Sequence, residues 1–171
     1  MLTNNFYHLQ SAHAISTSIS GKVVNTSGSV VNANAYNTEY YFTNLLAVGY
    51  DVVFSHDAIG VVVGRGNTPA SKADYCLENI ITSGLKQQKT TYATKFLDGG
   101  AEVVKVFILE NTSDADITIS EIGTVGRTFT DRNTSSVARV MVDRTVLDTP
   151  VTIPAGEMKT ISYSIRLNYP A

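Results

Sequence analysis

Hydrophobic and polar residues along this chain alternate in twos far more often than they recur at helical spacing. The clearest case is "MKTISYSIRLN", where Ile161, Tyr163, Ile165 and Leu167 fall on one side and Ser162, Ser164, Arg166 and Asn168 on the other. Such alternation predicts a strand with one buried face. A strand in that position needs a partner already built, and "AEVVKVFILEN" is the expected neighbour. That second segment predicts a long strand ending in an Asn-Thr-Ser turn, with "ADITISEIGTVG" as its antiparallel partner. Ile117 and Ile119 alternate and then Glu121-Ile122 breaks phase, which predicts a bulge. "SVARVMVDRTVL" predicts a further strand with Val137, Val140 or Met141, Val142 and Val146 as core candidates. Pro154-Ala155-Gly156 turns it into the last strand as a closing hairpin.

Upstream the elements are shorter. In "GKVVNTSGSVVNANA" two Val pairs flank Asn25-Thr26-Ser27-Gly28, the composition of a hairpin turn. Val61 to Val63 form an apolar run suited to a strand buried on both faces. Gly64, Gly66 and Asn67 then turn the chain. Ser71 to Tyr75 fit one helical turn, and "CLENIITSG" returns as strand or loop. "YYFTNLLAVGYDVVFS" offers Tyr40, Phe42 and Leu45 as anchors. Helical spacing occurs only near the start, where Leu2, Phe6, Leu9 and His13 share one face with Thr3 or Asn4 as cap. A helix this short needs a surface to lie on. The expectation is therefore an N-terminal arm or short helix over residues 1–20. Residues 21–171 then form a single all-β domain, an antiparallel β-sandwich of jelly-roll-like or Ig-like type.

Composition narrows the function. The chain has 171 residues, enough to bury roughly 70% of its unfolded surface without staples. Charged residues make up 16% and the net charge is −2, with no Lys/Arg cluster, so no nucleic-acid footprint is present. No segment reaches the ~20 apolar residues of a membrane helix. "MLTNNFYHLQ" lacks the basic start and apolar run of a secretory signal. Synthesis in a cytosol, with exit by lysis, is the expectation.

Catalytic and metal chemistry find little purchase. Cys76 is alone, and with scattered histidines it makes no zinc site. Flanked by Tyr75 and Leu77, it reads as a small buried hydrophobe. Gly60, Gly64 and Gly66 are misspaced for a dinucleotide fingerprint, and a phosphate loop needs Gly-Lys-Ser/Thr opening a helix, where Pro69 intervenes. Glycine's positive φ in a turn is the simpler account. His56-Asp57 lies far from any nucleophile elbow. Asp98, Asp114 and Asp116 read as turn residues, and neither "DGGAE" nor "NTSDADIT" has the spacing of a calcium loop. No catalytic, cofactor or metal residues are assigned.

"IGVVVGRGNTPASKADYCLENIITSG" resembles a phrase of small structural proteins of tailed bacteriophages: a Gly-Val-Val-Val-Gly-x-Gly run at Gly60 to Gly66, Thr68-Pro69, then Asp74-Tyr75-Cys76-Leu77. "SSVARVMVDRTVLDTPVTIPAGEMKTISYSIRL" resembles their closing segment, and "ITISEIGTVG" fits between. The resemblance covers most of residues 40 to 168. It implies a non-enzymatic virion component with a β-sandwich body, made in the host cytoplasm and carried in the virion. A capsid-associated decoration or head-fibre subunit is the first expectation, and a tail or baseplate module recognising host carbohydrate is the alternative. Expected partners are further copies, as a homo-oligomer such as a trimer, and a major capsid or tail protein. The arm residues Leu2, Phe6 and Leu9 and the final-strand residues Tyr163, Ile165 and Leu167 are the expected interface, the strand acting by edge addition.

Overall fold

The computed structural model describes residues 1–14, 19–33, 51–55, 57–130 and 136–168. Its elements are α1 (Asn4–Ala14), β1 (Ile19–Val24), β2 (Val30–Ala33), β3 (Gly60–Gly64), β4 (Leu85–Leu97), β5 (Gly100–Asn111), β6 (Ile117–Phe129), β7 (Val137–Ile153) and β8 (Met158–Asn168). All strand pairs are antiparallel. They form a two-stranded ribbon β1-β2 and two three-stranded sheets, β3-β6-β7 and β4-β5-β8. The anchors Tyr40, Phe42 and Leu45 lie outside the described residues.

The two larger sheets face each other, which makes the body an all-β sandwich. Val61 and Val63 of β3 and Ile122 of β6 meet Phe107 and Leu109 of β5 and Ile161 of β8 in one buried cluster. As expected, β8 lies beside β5, with Lys105 opposite Tyr163 and Phe107 opposite Ile161. The alternation of β8 matches its burial: Ile161, Tyr163 and Ile165 are buried while Ser162, Ser164 and Arg166 are exposed.

Two pairings differ from the sequence expectation. β6 is not the partner of β5; it pairs with β3 and β7 in the opposite sheet. The Asn-Thr-Ser turn is a crossing between sheets. The buried Asn111 amide fixes it, donating to Ala115 O and Ile153 O (both 2.8 Å) while its oxygen accepts from Ser113 N–H (3.0 Å). Apolar faces of β5 and β6 therefore meet across the core rather than side by side. Likewise β7 and β8 are joined by a tight turn, with Gly156 at φ 72° and Glu157 N–H donating to Pro154 O (3.1 Å), but they belong to different sheets and form no hairpin.

The bulge in β6 is present between Ile119 and Glu121. It places Ile117, Ile119 and Ile122 together in the inter-sheet core and turns Glu121 to the other face. Opposite it β7 makes a larger detour, Leu147 to Pro150 against Ser120 alone, and Pro150 sits where no ladder bond is required. The phase of β7 resolves as buried on both sides: Val140 and Val142 face the helix, whereas Met141 packs with Val62, Leu77 and Val125. Val137 is 42% exposed at the strand's start and Val146 is half-buried, so neither is a core anchor.

The N-terminal residues dock on their own body. Thr3 N–H donates to Val142 O (3.1 Å) and Arg144 N–H to Met1 O (2.9 Å), so the first residues add a short pairing to the edge of β7. Thr3 precedes the helix, but its hydroxyl donates to Met141 O (2.7 Å). Phe6 and Leu9 pack with Val23, Val140 and Val142, and Asn5 joins the helix to β1 through paired bonds with Val24 (2.7 and 2.9 Å). The β1-β2 hairpin turns through Asn25–Gly28 as expected, with Gly28 at φ 84° and the Asn25 oxygen accepting from Ser27 and Ser29 N–H.

Because β8 supplies Ile161, Tyr163 and Ile165 to the inter-sheet core around Phe107, a chain lacking residues 161–171 is expected to lose cooperative unfolding. Loss of dispersed amide signals in a proton–nitrogen NMR spectrum checks this, and a folded truncated chain would contradict it.

Candidate functional site

Residues 65–81 form a loop that would leave many backbone donors unpaired, since among the described residues a single bridge, Gly64 with Ile80, ties it to β3. Buried donors of this kind need partners. Glu121, fully buried on the outer face of β6, supplies them. Its carboxylate accepts from Gly66 N–H (2.9 Å), Asn79 N–H (2.8 Å) and Glu78 N–H (3.1 Å). Arg144 of β7 answers the charge. Its Nε donates to Glu121 (2.9 Å), one terminal nitrogen to Asp74 (2.8 Å) and the other to Thr68 O (3.2 Å). Glu78 adds an outer layer, accepting from Asn67 N–H, Thr68 N–H and the Thr68 hydroxyl, each at 2.9 Å.

The glycines follow from this clamp. Gly64 and Gly66 do not have positive φ, contrary to the turn expectation. Their need is space: a Cβ would lie 2.4 Å from Glu121 Oε1 at Gly64 and 2.6 Å at Gly66. Glycine admits such close approach of backbone to a side chain. Ser71–Asp74 is a hydrogen-bonded turn rather than a helical one, with Asp74 N–H donating to Ser71 O (3.1 Å). Asp74 Oδ2 accepts in return from Ser71 N–H (2.9 Å) while holding Arg144.

A surface pocket of about 260 Å³ opens beside the clamp, lined by Thr68, Asp74, Tyr75, Cys76, Glu78 and Arg144. Burial works against the Arg144 charge, but its bonds to Asp74 and Glu121 outweigh that and raise its pKa. Backbone and hydroxyl donation from Thr68 holds the Glu78 carboxyl below its ordinary range. Cys76 is half-buried rather than buried. Desolvation and then the nearby Glu121 charge push its thiol up, leaving little of the thiolate that nucleophilic chemistry requires. The arrangement keeps Arg144 and Glu121 engaged with one another and with backbone, which is the chemistry of a brace.

A second polar group lies inside the sandwich. Asp143 is buried, accepts from the Tyr163 hydroxyl, and lies 3.4 Å from the Met1 amino nitrogen. Burial raises the Asp143 carboxyl, and burial with the Asp143 charge raises the Tyr163 phenol. Lys105, opposite Tyr163 on β5, is fully buried, and its Nζ has no hydrogen-bond partner among the described residues. Desolvation lowers its pKa from 10.5 to about 8, against a smaller pull from Asp143.

Of the residues expected at an interface, Phe6, Leu9, Tyr163 and Ile165 are buried within the chain, and Leu2 and Leu167 are half-buried against the same clusters. All six meet the protein's own core, and only Leu2 and Leu167 keep part of the side chain exposed. Glu121, Arg144 and Lys105 escaped the sequence reading. The signals were available: Glu121 stands at the phase break, and Lys105 occupies an inward position of the strongest strand. Among the described residues no three His, Cys, Asp or Glu side chains assemble for a metal, and no helix is long and apolar enough to cross a membrane. No family model, curated protein or solved structure matches the chain.

Removing one partner of a buried ion pair strands the other's charge. Arg144→Met is expected to destabilise the fold by about 3–5 kcal/mol, read from the urea midpoint. Lys105 gives the opposite sign. Its folded pKa lies below its unfolded value, so the folded state gains stability as pH rises from about 8 to 10.5 and lacks it below 8. Lys105→Met should therefore be more stable than the wild type by about 3 kcal/mol at pH 7, taking 1.36 kcal/mol per pKa unit. That gap should narrow from about pH 8 and close near pH 10.5, as urea melts of both proteins at several pH values would show.

Proposed function

We propose that this protein is a non-enzymatic structural subunit of a tailed-bacteriophage virion, associated with the capsid as a decoration or head-fibre component. One observation carries the reading. The three stretches that resemble phage structural proteins meet in a single clamp: Gly64, Gly66 and Asp74 from the first, Glu121 from the middle and Arg144 from the last. Segments far apart in sequence are thus bound through their most distinctive residues, which supports the resemblance as a shared folding unit. The same residues serve architecture rather than turnover. Their hydrogen bonds are satisfied within the chain, and a residue so engaged has little left for a substrate.

Particles released from the bacterial host that encodes this chain test the proposal. Gold-labelled antibody against the recombinant protein is expected to decorate heads in electron micrographs at regular spacing. Label confined to tail tips would favour a carbohydrate-recognising tail module instead. Particles without label, from a lysate that contains the chain, would overturn a virion role.

A further inference from the structure

The sheet β4-β5-β8 has two outer edges, and they differ in chemistry. β4 carries Lys86, Lys89 and Lys95 along thirteen residues. Lysines on an edge discourage strand addition. β8 is uncharged from Thr160 to Ile165, lacks proline, and among the described residues receives no backbone hydrogen bond on the side away from β5. An open edge of this kind offers a row of donors and acceptors to another strand.

The sequence of that edge says which strand. Ile161-Ser162-Tyr163-Ser164-Ile165 reads the same in both directions. Antiparallel addition about a two-fold axis through Tyr163 sets Ile161 opposite the partner's Ile165 and Ser162 opposite the partner's Ser164. Buried phase meets buried phase and exposed phase meets exposed phase. Cross-strand hydroxyl pairs and β-branched pairs both favour such a ladder. The flanking charges are separated: Arg166 faces Thr160 and Lys159 faces Leu167. Addition of β8 to the β4 edge of another copy would instead bring Lys159 and Arg166 into a lysine row.

We propose that β8 is an isologous dimer edge, joining two copies of this chain through β8 into one continuous six-stranded antiparallel sheet. The inference deepens the assembly reading by naming a contact and its symmetry. Tyr163 and Ile165 then belong to the interface through their backbone while their side chains stay in the core.

Sedimentation equilibrium of the full chain over a wide concentration range tests it. The wild type is expected at twice the chain mass. Ser162→Lys with Ser164→Lys opposes lysines across the axis at solvent-exposed positions. That variant should sediment at half the wild-type mass with an unchanged far-ultraviolet circular dichroism spectrum. Ser162→Thr with Ser164→Thr should remain dimeric. Hydrogen exchange of the wild type gives a second readout: amides of residues 160–165 should gain protection as concentration rises. A wild type monomeric at every concentration, an odd-numbered oligomer, a mass indifferent to the lysines, or concentration-independent exchange would each overturn the proposal. A dimer in solution with unlabelled particles would remove the virion location and leave the dimer standing.

Discussion

The Glu121 carboxylate is a charge with no exposure to water, and much of the molecule is arranged around keeping it there. Burying a carboxylate costs several kcal/mol unless donors and a counter-charge replace its hydration. Three backbone N–H groups of the 65–81 loop and the Arg144 guanidinium do so. The exchange works in both directions. The loop gains an acceptor for donors that its irregular backbone cannot pair, and through it Leu77 reaches Val62, Val125 and Met141 to cover the outer face of β3-β6-β7. A sheet of short apolar strands such as Val61–Val63 can be buried on both sides only because that loop has a fixed path.

Lys105 is the counterexample within the same fold. Its stem occupies an inward position between Val103 and Phe107, yet its amine finds no hydrogen bond among the described residues. Asp143, the opposite charge that acts on it, is already engaged by Tyr163 and the Met1 amine. The clamp shows what a satisfied buried charge looks like, and Lys105 shows an unsatisfied one in the facing sheet. The contrast locates the structure's internal tension at the centre of the sandwich rather than at its surface loop.

How far the sequence revealed this can be judged residue by residue. Strong alternation exposed β8 and its place beside β5, the Val pairs exposed the first hairpin, and the broken phase at Glu121-Ile122 exposed the bulge. β4 went unseen because "LKQQKTTYATKFL" is polar on both phases. It is an edge strand whose residues are largely exposed, Phe96 by 84%, so burial imposes no period on it. Strand partners were misassigned where a short turn invites a hairpin but the chain crosses between sheets, at Thr112–Asp116 and Pro154–Glu157. Nothing local distinguishes those turns; the decision is made by which apolar faces need to meet. The clamp was hidden for a related reason. Glu121 and Arg144 lie 23 residues apart on different strands, and a charged residue in a strand ordinarily faces water.

The docking of the first residues on β7 carries a consequence for synthesis. Met1 and Thr3 bond to Arg144 and Val142, Phe6 and Leu9 rest on Val140 and Val142, and β3 pairs with β6. The ribosome therefore releases the first residues, α1 and β3 well before their partners on β6 and β7 exist. Contacts of such long sequence separation form slowly, and exposed apolar segments in the interval invite aggregation. The consecutive pairs β1-β2, β4-β5 and β6-β7 have their partners close at hand as they emerge. Synthesis runs from one end, whereas the tertiary structure must wait for the other, so the nascent protein depends on whatever shelters its leading segment until β7 has been made.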